Sequence, residues 1–473
     1  MRGSFRNKDL LSICIYSVLI TLLIFLVYTF KSVEYPQLFK LLFWILLAHI
    51  ISTFFCFKLI GIRLFSISGF FITLSYVFHF GQVLVKGISS TYEFSFDVSS
   101  FISQEVYMES ILFSLTIISL VSLGMMIAKL QGKNNKGAEK KIHIISMSSR
   151  SILVIGWILF LVTFPFEFYY SFSELMIARQ LGYGGVLEVE SSGILSQFAR
   201  FHLIGIGLLI MGYSHRPVKS IFVLSMYSVY SVIFMLSGSR IYQVLSILVL
   251  TFIMFKSTKI KFSLKTCLVL SLPTFFFIVL LNTIAEIRLE GFSSINDFVD
   301  VYKFNLINNP FLDILEEFGG TIYTLCLTVI KVPSMVDYSH GLQFITGFLT
   351  VLPNINGIFT EINQTTIFSN YLNTRAIGGS YIAELYYSFK YTSFIATLLI
   401  GYLIQLFSYY FEYHLERKDF MKAAYFILPT FALLLWVRGY YVGILRNSIW
   451  ATIFIYFIQT FLTMNLLKKN KVG

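Results

Sequence analysis

Apolar runs of about 17–22 residues recur from one end of this chain to the other, each roughly long enough for an α-helix to cross a hydrocarbon core about 30 Å thick. They fall near 10–30, 38–57, 64–85, 109–130, 151–170, 193–213, 220–237, 241–256, 266–285, 392–411, 423–437 and 448–467. Charged residues make up only 13% of the 473, about half the share of a soluble domain, and so few cannot cover a water-facing surface of this size. The runs are therefore spans, and the expected fold is an all-α, polytopic integral membrane protein of about 12 transmembrane helices. A shorter apolar stretch, 341–352, reads as re-entrant or interfacial.

The net charge of +12 does not point to nucleic acid, because the basic residues are dispersed among short loops and do not gather on one solvated domain. They follow topology. With the N-terminus inside, the inner loops hold 23 of the 36 Lys and Arg, against only Asp9, Glu139, Glu412, Glu416 and Asp419 among the acids. This positive-inside bias makes both termini cytoplasmic. The basic N-terminus precedes a span with no A-x-A-like site after it, so an uncleaved first helix is expected. The cysteines Cys14, Cys56, Cys267 and Cys326 show no CxxC or Cys/His spacing, so neither a disulfide framework nor a metal site is expected. The chain divides into spans 1–9 (1–288), an outer segment (289–378) too long for a plain connection and expected to form short helices, and spans 10–12 with a cytoplasmic tail (379–473).

Arginine is distributed against this trend. Inside, 6 of 23 basic residues are Arg; outside or within spans, 7 of 13 are: Arg179, Arg200, Arg240, Arg288, Arg375, Arg438 and Arg446. Topology needs only positive charge, whereas Arg offers a planar fork that binds phosphate oxygens bidentately, which suggests a phosphate-bearing ligand on the outer face. Interfacial snorkelling is the simpler account of the same counts. Arg240 ends the tight turn Ser237-Gly-Ser-Arg, and Arg438 and Arg446 bracket Arg438-Gly-Tyr-Tyr-Val-Gly-Ile-Leu-Arg446, which has no acid of its own. Arg200, in the sixth span, faces a wet cavity or pairs with Glu167. In Arg375-Ala-Ile-Gly-Gly-Ser-Tyr-Ile-Ala-Glu384, the Gly378, Gly379 and Ser380 N–H groups can form an anion site at a helix start, although a plain Ser cap is the default. Glu384, one turn in, either favours the helix dipole or acts as a general base. His340, three residues after Asp337, is a second candidate base, with an ordinary surface histidine as the alternative. Glu286 with Arg288 reads as a local ion pair, and His49 and His202 as helix–helix hydrogen-bonding residues.

No GxxxxGK[ST], HExxH, GxSxG or dinucleotide fingerprint occurs in a supporting context, which disfavours an ATP-driven pump or a nicotinamide enzyme. Ser-Gly-Ser-Arg240, the long outer segment, Gly-Gly-Ser-Tyr-Ile-Ala-Glu384 and Arg438-Gly together resemble the bacterial oligosaccharide repeat-unit polymerases, the Wzy or O-antigen polymerase family. The layout matches over most of the chain and the motifs over about 237–446. The resemblance implies a GT-C-like membrane glycosyltransferase on the outer face of the bacterial cytoplasmic membrane. It would transfer a growing glycan from undecaprenyl diphosphate to the next lipid-linked repeat unit, for O-antigen or capsule, without a cofactor. It further implies donor diphosphate binding by Arg240, Arg438, Arg375 and Arg446 with Gly379 and Ser380, a base at Glu384 or His340, and a chain-length regulator and a flippase as partners. An O-antigen ligase, a lipid-linked oligosaccharide flippase and a scaffold protein are the competing readings. Loss of a ligase leaves complete polymer on its carrier, loss of a flippase leaves repeat units facing the cytoplasm, and a scaffold survives Arg240→Ala unchanged.

Overall fold

The computed structural model describes residues 7–35, 37–89, 91–135, 147–188, 194–238, 240–260, 264–290, 295–307, 309–352 and 378–469, and among them every regular element is a helix. The first five are α1 (Asn7–Thr29), α2 (Gln37–Ile60), α3 (Ile67–Ile88), the single turn α4 (Val98–Phe101) and α5 (Gln104–Asn135). Then come α6 (Ser149–Glu188), α7 (Ile194–Ala199), α8 (His202–Gly212), α9 (Pro217–Met235), α10 (Arg240–Thr258) and α11 (Leu264–Glu290). Residues 289–378 supply α12 (Ile295–Ile307), α13 (Pro310–Gly319), α14 (Ile322–Lys331) and α15 (Leu342–Thr346). The chain closes with α16 (Tyr381–Phe389), α17 (Ser393–Glu416), α18 (Phe420–Ala424), α19 (Ile427–Leu435) and α20 (Tyr441–Lys469).

Among the described residues, 11 helical stretches are long and apolar enough to cross a membrane. The run expected at 266–285 also forms a helix, but its apolar part, Ser271–Ile287, is shorter than the others. The tenth span begins earlier than its apolar run suggests: α16 and α17 together make the stretch Tyr381–Glu416, broken where Lys390 takes φ 46°. Large apolar side chains face outward, with Phe25 60%, Trp44 65% and Ile395 82% exposed. In water this surface would aggregate; against lipid tails it is solvated.

The helices pack closely enough for backbones to touch. A Cβ on Gly124 of α5 would overlap Leu398 O of α17, and one on Gly401 would overlap Val121 O, so the two helices meet main chain to main chain. They run in the same direction: Tyr391 OH donates to Glu109 (3.3 Å) at one end, and Tyr402 OH to Gln131 (2.7 Å) toward the other. Gly81 of α3 and Gly319 of α13 repeat this close approach.

Helices α13 and α14 do not form a separate outer lobe; Ile322, Leu325 and Cys326 belong to the main core. The middle of α13 meets the loop after α3, where Tyr92 OH donates to Asp313, Ser95 OH to Glu316 Oε1 (2.7 Å) and the Phe96 N–H to the same oxygen (3.0 Å). The junction Gly319–Thr321 sits beside Gly81, and Phe318 packs on Phe78 at 4.9 Å between ring centroids. That is about 10–15 Å in from the end of α3. Cys326 of α14 is back at the level of Tyr107 and Ser110, near the start of α5. The pair is thus a short helical V packed into the bundle, its break surrounded by protein.

Basic loops gather at the opposite end. Arg63 after α2 pairs with Glu416 at the end of α17 (3.6 Å), and Lys418 lies 3.3 Å from His215 after α8. Loops that the charge bias assigns to one side therefore share one end of the bundle.

Candidate functional site

Glu384 lies in the first turn of α16, only 5% exposed. Its Oε2 accepts from Trp436 Nε1 (2.6 Å) and from the Tyr441 N–H (3.0 Å), while Oε1 also faces that N–H at 3.2 Å. One carboxylate thereby clips together both ends of the turn that carries Arg438. The same turn is held from its other side, because Gly379 packs against Gly439 so closely that a Cβ would overlap the Gly439 carbonyl. Arg438 runs alongside Gly378, and its guanidinium lies 5.7 Å from the Phe78 ring centroid.

Ser380 caps α16 in extended backbone, its Oγ accepting from the Ala383 N–H at 3.4 Å. His79 reaches the same oxygen through Nε2 at 2.8 Å and has Nδ1 2.9 Å from Ser75 O. A carbonyl can only accept, so Nδ1 carries the proton and Nε2 receives the Ser380 O–H. Thr324 Oγ1 donates to Gly378 O (2.8 Å), which ties the helical V to the same segment. Gly378, Gly379, Ser380 and Glu384 thus form one cluster with Arg438, which is distant in sequence.

Arg240 bonds to Glu317, next to Phe318, whose ring packs on the Phe78 ring that Arg438 overlies. It follows Gly238, whose φ of 92° suits glycine, and begins α10. Its Nη1 donates to Leu281 O (2.6 Å) and its Nη2 to Glu317, the residue before Phe318. Arg446 lies farther along α20, where its Nε and Nη2 donate to Thr350 O at 3.3 and 3.0 Å. Arg200 is close enough for its charge to act on Arg446, consistent with the Gln197–Asn447 hydrogen bond (3.1 Å) joining α7 to α20.

A family model described as the O-antigen polysaccharide polymerase Wzy matches residues 12–471, nearly the whole chain. The chain belongs to the Wzy family. No curated protein and no solved structure matched it. Wzy membership carries an O-antigen polymerase role, which is glycosyl transfer, in a multi-pass membrane protein.

The other residues singled out in this Wzy chain are more dispersed. Arg375 lies outside the described residues. His340 is exposed, takes φ 47° and has Tyr338 as its ring neighbour at 6.4 Å. Among the described residues no hydrogen bond joins it to Asp337, and it sits by the Phe389 end of α16, away from Ser380. Glu167 approaches His202 (3.7 Å) and accepts from Ser171 (3.3 Å); among the described residues it makes no ion pair with Arg200. Glu286 accepts from Asn305 (3.2 Å). No group of three or more His, Cys, Asp or Glu able to hold a metal occurs among the described residues.

Sequence reasoning missed Trp436, His79 and Glu317. Trp436 was visible as the residue two before Arg438, but its indole is useful only because α16 brings Glu384 to it. His79 and Glu317 lie hundreds and tens of residues from their partners, and no local pattern marks such contacts.

Proposed function

We propose that this Wzy chain polymerises undecaprenyl-diphosphate-linked repeat units on the outer face of the cytoplasmic membrane, with the donor diphosphate held at the Arg438 end of the bundle. The observation that carries this reading is the turn 436–441, which presents Arg438 while Glu384 and Gly379 lock it from both sides. A guanidinium fixed in this way is pre-organised to meet charge that develops as a glycosyl–phosphate bond breaks. Arg446, with Arg200 beside it, supplies further positive charge, Arg375 extends the set, and Arg240 meets a phosphate by exchanging its contact with Glu317. The acceptor hydroxyl oxygen attacks the anomeric carbon, the carbon–oxygen bond to the diphosphate breaks, and the lipid diphosphate leaves with the electron pair. The hydroxyl proton passes to the departing diphosphate. Glu384 acts as a positioning residue in this scheme, since its oxygens are taken up by N–H donors.

The test is reconstitution of the purified protein with a short lipid-diphosphate-linked repeat unit, without nucleotide or added metal, read as glycan length on a gel. A ladder of multimers is expected, reduced about ten- to a hundredfold in rate by Arg438→Ala, the cost of a lost charge-assisted phosphate contact. No ladder from folded protein with its cognate substrate, or a normal ladder from the variant, overturns the proposal.

A further inference from the structure

Ser75, Phe78 and His79 of α3 stand at the i, i+3, i+4 spacing that gathers side chains on one helical face. Each of them touches a part of the cluster around Arg438. Ser75 Oγ accepts from Tyr381 OH (3.1 Å) and donates to Phe71 O (2.8 Å). His79, one turn on, accepts the Ser380 hydroxyl at Nε2 (2.8 Å) and donates from Nδ1 to Ser75 O (2.9 Å). Two consecutive hydroxyls at the start of α16 are therefore each taken by α3, and each relay ends on a main-chain carbonyl of that helix. None of the four side chains is more than 1% exposed. Phe78 supplies the ring beneath the Arg438 guanidinium.

The imidazole has opposite roles at its two nitrogens, and both are used, one along its own helix and one across to α16. The Tyr381 ring stands edge-on to His79 at 5.8 Å and packs on Trp436 at 5.6 Å, and Trp436 is a donor to Glu384. The turn that bears Arg438 is thus set relative to α3 by three routes. One is direct, through the Phe78 ring; one runs from Ser380 and Gly379 to Gly439; one runs from Tyr381 to Trp436. His79 belongs to the second and third. Without an acceptor at 79, the Ser380 O–H is buried with no partner, and movement of the start of α16 away from α3 relieves that cost. Gly379 moves with it.

We propose that His79 is a positioning residue for glycosyl transfer: by accepting the Ser380 hydroxyl it fixes the gap between the Phe78 ring and the turn that carries Arg438, and so the place of the guanidinium. This rests on the reading of Arg438 as the contact to the donor diphosphate. His79 touches no reacting atom and acts through Arg438. The role asks for a hydrogen-bond acceptor where Nε2 stands. Gln carries an amide oxygen to about that place, whereas Asn reaches only as far as Nδ1.

The test uses the full-length protein reconstituted with the short lipid-diphosphate-linked repeat unit, and reads the initial elongation rate and the melting temperature. His79→Asn keeps a donor toward Ser75 O and loses the acceptor, and is expected to slow elongation about tenfold, the effect of one buried hydroxyl left without a partner. His79→Gln is expected to recover most of that rate. A double-substitution cycle decides between positioning and general support of the fold. In an Arg438→Ala background, His79→Asn is expected to change the remaining rate less than about twofold, because the group it displaces is already gone, while it lowers the melting temperature equally in both backgrounds. If His79→Asn does not insert, Ser380→Ala removes the hydroxyl from the other side and is expected to give the same pattern with Arg438→Ala. An unchanged rate in His79→Asn, a Gln variant as slow as Asn, or the full loss repeated in the Arg438→Ala background overturns the role of His79 and leaves the reading of Arg438 standing. A normal rate in Arg438→Ala overturns that reading, and the positioning role with it.

Discussion

Glu384 shows how a carboxylate in a reactive-looking motif can serve geometry. Gln has almost the same shape, but its NH2 would face an N–H donor where Glu offers an oxygen, so Glu384→Gln loosens the turn under Arg438 at a cost of about 1–3 kcal/mol. The expected result is a raised KM for the lipid-linked donor with an unchanged pH profile of kcat. Loss of the acidic limb of that profile would instead make Glu384 the proton acceptor. The Ser380 cap was readable from Gly-Gly-Ser-Tyr, since a Ser ahead of a helical run has a local reason to be there. The histidine that bonds to it was not, because His79 and Ser380 are 301 residues apart and meet only through packing.

Among the elements, the contact between the 378–380 segment and the 436–441 turn tolerates no side chain at Gly379. Gly379→Ala forces Gly439 away, and is expected to abolish polymer on a gel while membrane insertion, followed by immunoblot of the membrane fraction, stays normal. The V of α13 and α14 makes a different prediction. Burial holds the Asp313 carboxyl above its ordinary value, although the Tyr92 hydroxyl bonded to it works the other way. The same burial, with Asp313 and Glu316 alongside, pushes the Tyr92 hydroxyl up. A carboxyl raised by folding favours the fold while protonated. That contribution is lost as pH climbs from about 3.9, the ordinary Asp value, through the raised one. The melting-temperature difference between wild type and Asp313→Asn should therefore fall as pH rises from about 4 toward neutrality, and a flat or rising difference contradicts the burial. Short helices were expected within 289–378, but neither the bounds nor the burial of the two arms was legible in the sequence. Each is ten residues long, and the acids of α13 break the apolar signal, whereas the stretch at 341–352 is apolar enough to stand out.

For the whole molecule, hydropathy was the strong signal, because lipid asks only for length and apolarity and each span meets that demand by itself. Span edges were weaker: α16 carries Glu384 and three tyrosines, and its membership in the tenth span depends on partners a window cannot see. Sidedness is testable in intact cells after replacement of the four native cysteines. Thr91→Cys, in the loop beside α13, should react with a membrane-impermeant maleimide, and Arg63→Cys only after permeabilisation; the reverse pattern inverts the topology. The meeting of α5 and α17 has a mechanical consequence. Two parallel rods whose main chains touch at Gly124 and Gly401 cannot slide past one another without first separating, so a shift of α5 along its axis carries α17 with it.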